Sequence, residues 1–430
     1  MALSNDWSIR IYRTVDGGTN WTGITGNGTF SLQSLFPFAG TVETFLLGTA
    51  PIAVDPLDAD HVFIANGPVF ESHDGGQTWS AISSGFIAYG ATIVADTFPP
   101  RLLLVTNVGV LESSADGSWE AILSGMPNVA PDALEYQPAT GYLFASTYGR
   151  GAFRVRLSDP TNVPQDAPVI GGIVGAALSS PLVTALAPNG LASVFATNLV
   201  PSGYSHTFAS ADMTYGGLPV RLNGVCVTVN GVPAPLLGVY SGSSGGADQV
   251  NFQVPSVQST GTAVVRAGRN CGSAGQSLSA GATVAYQLSA PEFFYFQTSA
   301  GGQNPVAATD AISFAYIGPP GLLSGATFTP ATPGEIISVF GTGFGLTTGM
   351  PFEGELISAA DTVGGPFQIA LDGKTLPNAN VLYVGAAPGY VGLYQVNLVV
   401  PSDTADGNHT LAIQVNGATS PSGYLSVKHK

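Results

Sequence analysis

Charge is scarce in this chain. Of 430 residues only 9% are charged, 12 Lys and Arg against 27 Asp and Glu, which leaves a formal net charge of −15. No basic patch exists that could neutralise a phosphate backbone, which excludes nucleic acid as a partner. The few glutamates, the three lysines (Lys374, Lys428 and Lys430) and the 56 glycines and 31 prolines argue against a helical protein. Cysteine is nearly absent. Cys226 and Cys271 lack metal-ligand spacing and read as one disulfide, or else as two buried thiols. The five histidines, His61, His73, His206, His409 and His429, form no HExxH motif and no close pair in sequence, so no zinc site is expected. His73 is expected in a solvent-facing turn.

A secretory leader is also missing from the first ten residues, MALSNDWSIR, which have neither a basic region nor an apolar run. The chain reads as one that starts inside a repeat. One uncharged stretch, APVIGGIVGAALSSPLVTALAP from Ala167, is long enough to imitate a membrane helix. Its glycines and Pro181 predict two strands and a loop instead, so no membrane span is expected.

What the chain does have is apolar material, 45% of residues, in short runs of Val, Ile, Leu, Phe and Thr broken by Gly, Pro, Asn and Asp. That is the pattern of many short strands, with enough length for two to four cores. The expected class is all-β.

Two stretches, YRTVDGGTNWTG and ESHDGGQTWSAI, share a spacing: Thr14, Asp16, Gly18 and Trp21 in the first, Ser72, Asp74, Gly76 and Trp79 in the second. A shortened third copy holds Ser114, Asp116 and Trp119. The aspartates recur 58 and 42 residues apart, the length of a four-stranded propeller blade. An Asp accepts backbone N–H groups in its own turn, the hydroxyl adds a local bond, and Gly supplies a positive φ. The Trp then packs back as an apolar plug. Nothing in the arrangement demands catalysis.

These motifs resemble Asp-box (BNR) repeats, found in sialidases, xyloglucanase-type glycoside hydrolases, sortilin-like receptors and many secreted propellers. The resemblance covers residues 1–158 and implies a partial propeller of three to four blades. Such a segment has open strand edges and a tendency to self-associate. It says almost nothing about activity.

A Pro/Asp linker over 159–168 leads into two mutually similar segments, 169–290 and 291–430. SVFATNL parallels SVFGTGF, VCVTVNGVPAPLLGVY parallels FQIALDGKTLPNANVLYV, and DQVNFQVPS parallels YQVNLVVPS. Each predicts an immunoglobulin-like sandwich. Both resemble an uncharacterised C-terminal module of secreted proteins of soil bacteria, and the TIG/IPT type of Ig-like domain, usually a spacer or binding module. The aromatic run Phe293 to Phe296 reads as a strand wedged between modules, with a ligand platform as the alternative.

Catalytic constellations are thin. GSSGG around Ser244 matches G-x-S-x-G but lies in a polar loop without a following helix. Asp55, Asp58 and Asp60 in VDPLDADH, and Glu353 with Glu355, are weak Ca²⁺ candidates. A sialidase would need an arginine cluster of its own kind, and the three arginines in STYGRGAFRVRL lack the accompanying motif. Phe30, Phe36, Phe38 and Phe45, in the one long insertion, read as the lining of a sugar groove or as a cap over an open edge. The expectation is therefore a secreted, non-catalytic adhesion or surface-structural protein with a glycan or protein ligand and no cofactor. The alternatives are a secreted glycoside hydrolase and a self-assembling filament subunit.

Overall fold

The structure is a computed structural model. It describes residues 11–14, 18–24, 52–55, 58–65, 68–83, 86, 88–94, 101–113, 118–122, 131–137, 140–147, 149–157, 166–213, 217–242, 246–256, 260–272, 276–299, 304–349 and 354–429. The protein is all-β. Among the described residues the only helical turns are the 3₁₀ segments Ser210–Asp212 and Asn378–Asn380. No helix there is long and apolar enough to cross a membrane. The run from Ala167 forms the strands Val169–Gly175 and Ala185–Leu186.

The chain divides into two compact units, Met1–Ala167 with Gly268–Gly281, and Pro168–Ala267 with Ala282–Lys430. The first unit contains a run of antiparallel meanders. Ile52–Asp55, Asp58–Ala65, Val69–Ser72 and Ser80–Ala81 pair in order, as do Ala88–Val94, Arg101–Thr106, Gly109–Ser113 and Trp119–Ala121. Pro131–Gln137, Tyr142–Thr147 and Gly151–Arg156 make a three-stranded sheet, and Ile11–Arg13 pairs with Thr22–Ile24. Successive sheets pack on shared cores. Ala53, Phe63, Ala65 and Val69 of the first meander meet Ala88, Leu102 and Leu104 of the second. Val94, Leu103 and Val110 of the second meet Leu143 and Ala145 of the third. Because side chains alternate along a strand, Leu102 and Leu104 serve one core and Leu103 the other, which is why RLLLV reads as a continuous apolar run.

The second unit holds two cores. In the first, residues 186–286, Val194, Val250 and Val239 of one sheet pack on Val227, Val265 and Tyr286 of the other. In the second, residues 293–427, Val339, Val396 and Val384 meet Ile369, Ile413 and Leu425. Each fully buried side chain of this size contributes about 1.5–3 kcal/mol. The parallel sequence segments occupy equivalent strands. Leu191–Thr197 pairs with Asp248–Gln253, and Ile336–Thr342 with Tyr394–Val399. The repeated Gln-Val-Asn has a local cause. Its Val points into the core, while the two amides face a serine on the neighbouring strand. Ser193 Oγ donates to Asn251 Oδ1 at 2.8 Å and Gln249 Nε2 donates to the same oxygen at 2.7 Å. Ser338, Asn397 and Gln395 repeat this at 2.8 and 2.7 Å. Tight hairpins close on Asn230-Gly231 and Asp372-Gly373, each with positive φ at both residues, as a type I′ turn needs. Cys226 and Cys271 are disulfide-bonded.

The two sandwiches are joined by buried polar contacts. Leu191 N donates to Thr342 Oγ1 at 2.7 Å, and Thr342 Oγ1 donates to Gly392 O at 2.8 Å. Gly190 stands so close to Gly343 that a Cβ there would lie 3.0 Å from its Cα. Glu292 lies at the same joint. Its Oε1 accepts the N–H of Ala177 at 3.1 Å, and its Oε2 is buried without a hydrogen-bond partner. Burial pushes this carboxyl up to about 7, against the hydrogen bonds from Ala177 and Ser179. The aromatic run starts beside it. Phe293 enters the second core edge-on to Phe344, on a strand paired with Ile336–Thr342, and Phe294 to Phe296 are half-buried.

Candidate functional site

The second copy of the repeated motif builds a closed turn. Ser72 Oγ accepts Gly76 N–H at 2.8 Å and donates to Asp74 Oδ1 at 2.9 Å. Asp74 also accepts Thr78 N–H at 2.8 Å and Thr78 Oγ1–H at 2.6 Å. Burial opposes ionisation, but the bonds from Thr78, Ser72 and Gln77 together outweigh it and hold Asp74 below the usual carboxylate range. Gly76 has φ +93°, and a Cβ there would meet Ile24 and the Trp79 ring. Trp79 is buried and its Nε1 donates to Gly76 O at 2.8 Å. Every acceptor of Asp74 is turned inward on its own loop, an arrangement suited to holding a hairpin. In the first copy Gly18 N–H bonds to Thr14 Oγ1 at 2.8 Å and Gly18 has φ +92°. Trp21, however, is 60% exposed among the described residues, whereas Trp79 is buried. Asp16, Ser114 and Asp116 lie outside the described residues. Trp119 packs edge-on against Phe86 at 5.5 Å.

Beside the Ser72 turn the strands gather four titratable groups. His61 Nε2 lies 2.8 Å from Glu71 Oε1, and His61 Nδ1 lies 3.2 Å from Asp55 Oδ2. The His73 ring stacks on His61 at 4.5 Å, with its Nε2 3.5 Å from Glu71 Oε1. Burial disfavours the imidazolium, but the bonds to Asp55 and Glu71 outweigh it and push His61 up to about 9. The His61 bond in turn holds Glu71 below the usual range. His61 and His73 stand twelve apart in sequence, too far for spacing alone to pair them. They meet because Val62 pairs with Ser72, which sets the two rings opposite each other one step further on. The side-chain alternation of strands puts His61, Phe63, Glu71 and His73 on one face, and that period is the signal that could have found them. His73 itself is exposed, as a turn position should be.

The acidic trio VDPLDADH separates. Asp55 faces His61, Asp60 takes Arg13 Nη2 at 3.2 Å, and Asp58 Oδ1 accepts Asp60 N–H at 3.1 Å. Among the described residues only His61, Glu71 and His73 form a group able to hold a metal. Arg154 lies over the Tyr142 ring at 4.7 Å. Glu355 bridges Gly217 through the backbone. Ser244, Glu353, Phe30, Phe36, Phe38 and Phe45 lie outside the described residues.

A different feature of the second sandwich went unread in the sequence, the hairpin between Ala308–Asp310 and Tyr316–Ile317. Asp310 Oδ1 accepts Ser313 N–H at 2.6 Å, Ser313 Oγ–H at 2.7 Å and Ile312 N–H at 3.1 Å, and Asp310 O accepts Phe314 N–H at 3.0 Å. The Ser313 bonds keep the Asp310 carboxyl below the usual range. Phe314 has φ +62°, a region that normally selects Gly or Asn. Its ring is 74% exposed and Ile312 is 79% exposed. Behind the tip Tyr316, half out in solvent, stacks on Phe328 at 5.4 Å, and Phe296 meets both rings edge-on.

No family model matches the chain, and no curated protein matches it. Among solved structures the chain is similar to the GH74 enzyme of Niastella koreensis, at 11% identity and TM-score 0.28 over 98% of this chain and 62% of that one. It is similar to the SGBP-B protein of the Bacteroides ovatus mixed-linkage glucan utilization locus, solved with a mixed-linkage heptasaccharide, at 10% identity and TM-score 0.24 over 81% and 67%. Domains 5–6 of the S-layer protein SbsC match at 11% identity and TM-score 0.19 over 61% and 99%. The chain thus spans less than two thirds of the GH74 enzyme. Likenesses this low carry no functional argument.

Proposed function

We propose that the chain is an extracellular, non-catalytic binding protein whose ligand is a neutral glycan. In this reading the first unit is a segment of Asp-box propeller and the two sandwiches are Ig-like accessory modules. The observation that carries the proposal is Phe314. Its backbone sits where Gly or Asn costs less, by about 1–2 kcal/mol for the left-handed conformation. Its ring gains no burial in return. Strain without packing marks a residue held for something outside the fold. Four hydrogen bonds to Asp310 fix the tip before any ligand arrives, which lowers the entropy lost on binding. Rigid rings such as Phe314 and Tyr316 supply flat apolar faces, and the sparse charge of the chain suits an uncharged polymer. A disulfide fits an oxidising exterior.

The test replaces Phe314 with Asn. Phe314→Asn relieves the backbone and raises stability by up to ~1 kcal/mol. In affinity electrophoresis through gels containing xyloglucan, mixed-linkage glucan or soluble chitin, the wild-type chain is retarded by at least one polymer, and the variant loses that retardation. Wild-type migration unchanged by every polymer, or retardation equal in the variant, defeats the proposal.

A further inference from the structure

We propose that His61, Glu71 and His73 form a binding site for a divalent transition ion of the zinc type, with Asp55 orienting His61. One ligand atom from each of His61, Glu71 and His73 lies within 4.8 Å of the other two; Glu71 Oε1 faces both His61 Nε2 and His73 Nε2. Two of their separations are 2.8 and 3.5 Å. A tetrahedral zinc ion with ligands at about 2.0–2.1 Å holds them about 3.3 Å apart, so the observed spacings bracket what the ion needs. Only small side-chain rotations are required, and His73, on the exposed side, is free to make them.

The chemistry of the set selects the ion. Two imidazole nitrogens and one carboxylate suit zinc and its neighbours, whereas Ca²⁺ and Mg²⁺ take oxygen ligands alone. The surroundings are those of a built site. Asp55 is buried, 6% exposed, and lies 3.2 Å from His61 Nδ1. On binding, Nε2 gives up the proton it shares with Glu71; with Nδ1–H still donated to Asp55, its lone pair then faces the ion, the carboxylate–histidine–metal relay found behind many metal-bound imidazoles. Phe63 packs against the His61 ring at 4.6 Å, which limits its rotation. The frame is rigid as well: Asp55, His61 and Glu71 come from three consecutive paired strands, and His73 opens the hydrogen-bonded turn that Asp74 closes. Three protein ligands would leave a fourth position for water or another donor.

The experiment uses the tag-free full chain and two probes, ZnCl₂ in isothermal titration and CoCl₂ in visible absorption. One ion per chain is expected, with Co²⁺ bands of a tetrahedral or five-coordinate nitrogen–oxygen site. His73→Ala removes a solvent-exposed ring and leaves the fold intact, and it weakens binding at least tenfold. Glu71→Gln does the same. Asp55→Asn, acting through His61, weakens binding 10- to 100-fold and shifts the Co²⁺ bands, which a merely structural role would not do. His429→Ala, at the exposed His429–Asp406 pair, leaves affinity unchanged. No saturable binding by the wild-type chain, or equal affinity in His73→Ala, overturns the proposal.

Discussion

Glu292 makes the stability of the joined sandwiches depend on pH, and the dependence can be worked out. In the unfolded chain this carboxyl titrates at the ordinary 4.5, and in the folded protein at about 7. Between those values the folded state holds a proton that the unfolded state has released. The contribution of Glu292 is therefore greatest below pH 4.5, falls as pH rises, and levels off above pH 7. The slope is about 1.4 kcal/mol per pH unit, giving a total loss of about 3 kcal/mol. Glu292→Gln keeps the shape, retains an acceptor for Ala177 N–H and cannot ionise. At pH 8 the variant should exceed the wild type by about 2–3 kcal/mol, and near pH 4.5 the two should converge to within ~1 kcal/mol. The assay equilibrates both proteins in urea at pH 4.5, 6 and 8, then pulse-labels amides at one fixed pH. Peptides from Leu191–Thr197 and Ile336–Thr342, the central strands of the two sandwiches, report the transition. A wild-type midpoint that does not fall between pH 4.5 and 8, or a variant that falls just as steeply, would refute the reasoning.

Other outcomes follow from the same contacts. Gly175→Ala would put a Cβ 1.9 Å from Glu292 Oε1, so the thermal transition of the sandwiches should drop by the equivalent of about 1–3 kcal/mol. Asp74→Ala removes the acceptor of Thr78 N–H and of two hydroxyls, with the Thr78 bonds exposed to solvent, and should cost the first unit about 0.5–1.5 kcal/mol in urea unfolding. Trp79→Ala, which empties a buried ring site, should cost about 3–5 kcal/mol. Tryptophan fluorescence reads only the first unit in these experiments, because all four tryptophans precede residue 120.

Periodicity carried most of the fold. Alternating Val, Gln, Asn and Phe in DQVNFQ and YQVNLV fixed which side chains meet the core, and the Asn-Gly and Asp-Gly pairs fixed two hairpins. The spacing of Ser72, Asp74, Gly76 and Trp79 encoded a turn whose bonds are all local, hence readable from one strip of sequence. Contacts made across strands were harder. His61 and His73 are neighbours only once Val62 pairs with Ser72, and Glu292 reaches Ala177 across 115 residues. Phe314 left no mark either, since a positive φ at a phenylalanine runs against the preference by which turns are read. The acidic trio shows the converse: three carboxylates close in sequence face three different partners.

The Gly190–Gly343 approach has a mechanical side. At this point two backbones stand in direct contact, and the short Thr342 side chain is bonded to both Leu191 and Gly392. The spacing of the two sandwiches at that point is therefore set by backbone packing, which has little slack. A methyl on Gly190 would lie 3.0 Å from Gly343 Cα, so an alanine there forces the two sandwiches apart by a few tenths of an ångström or shifts the strand that carries it.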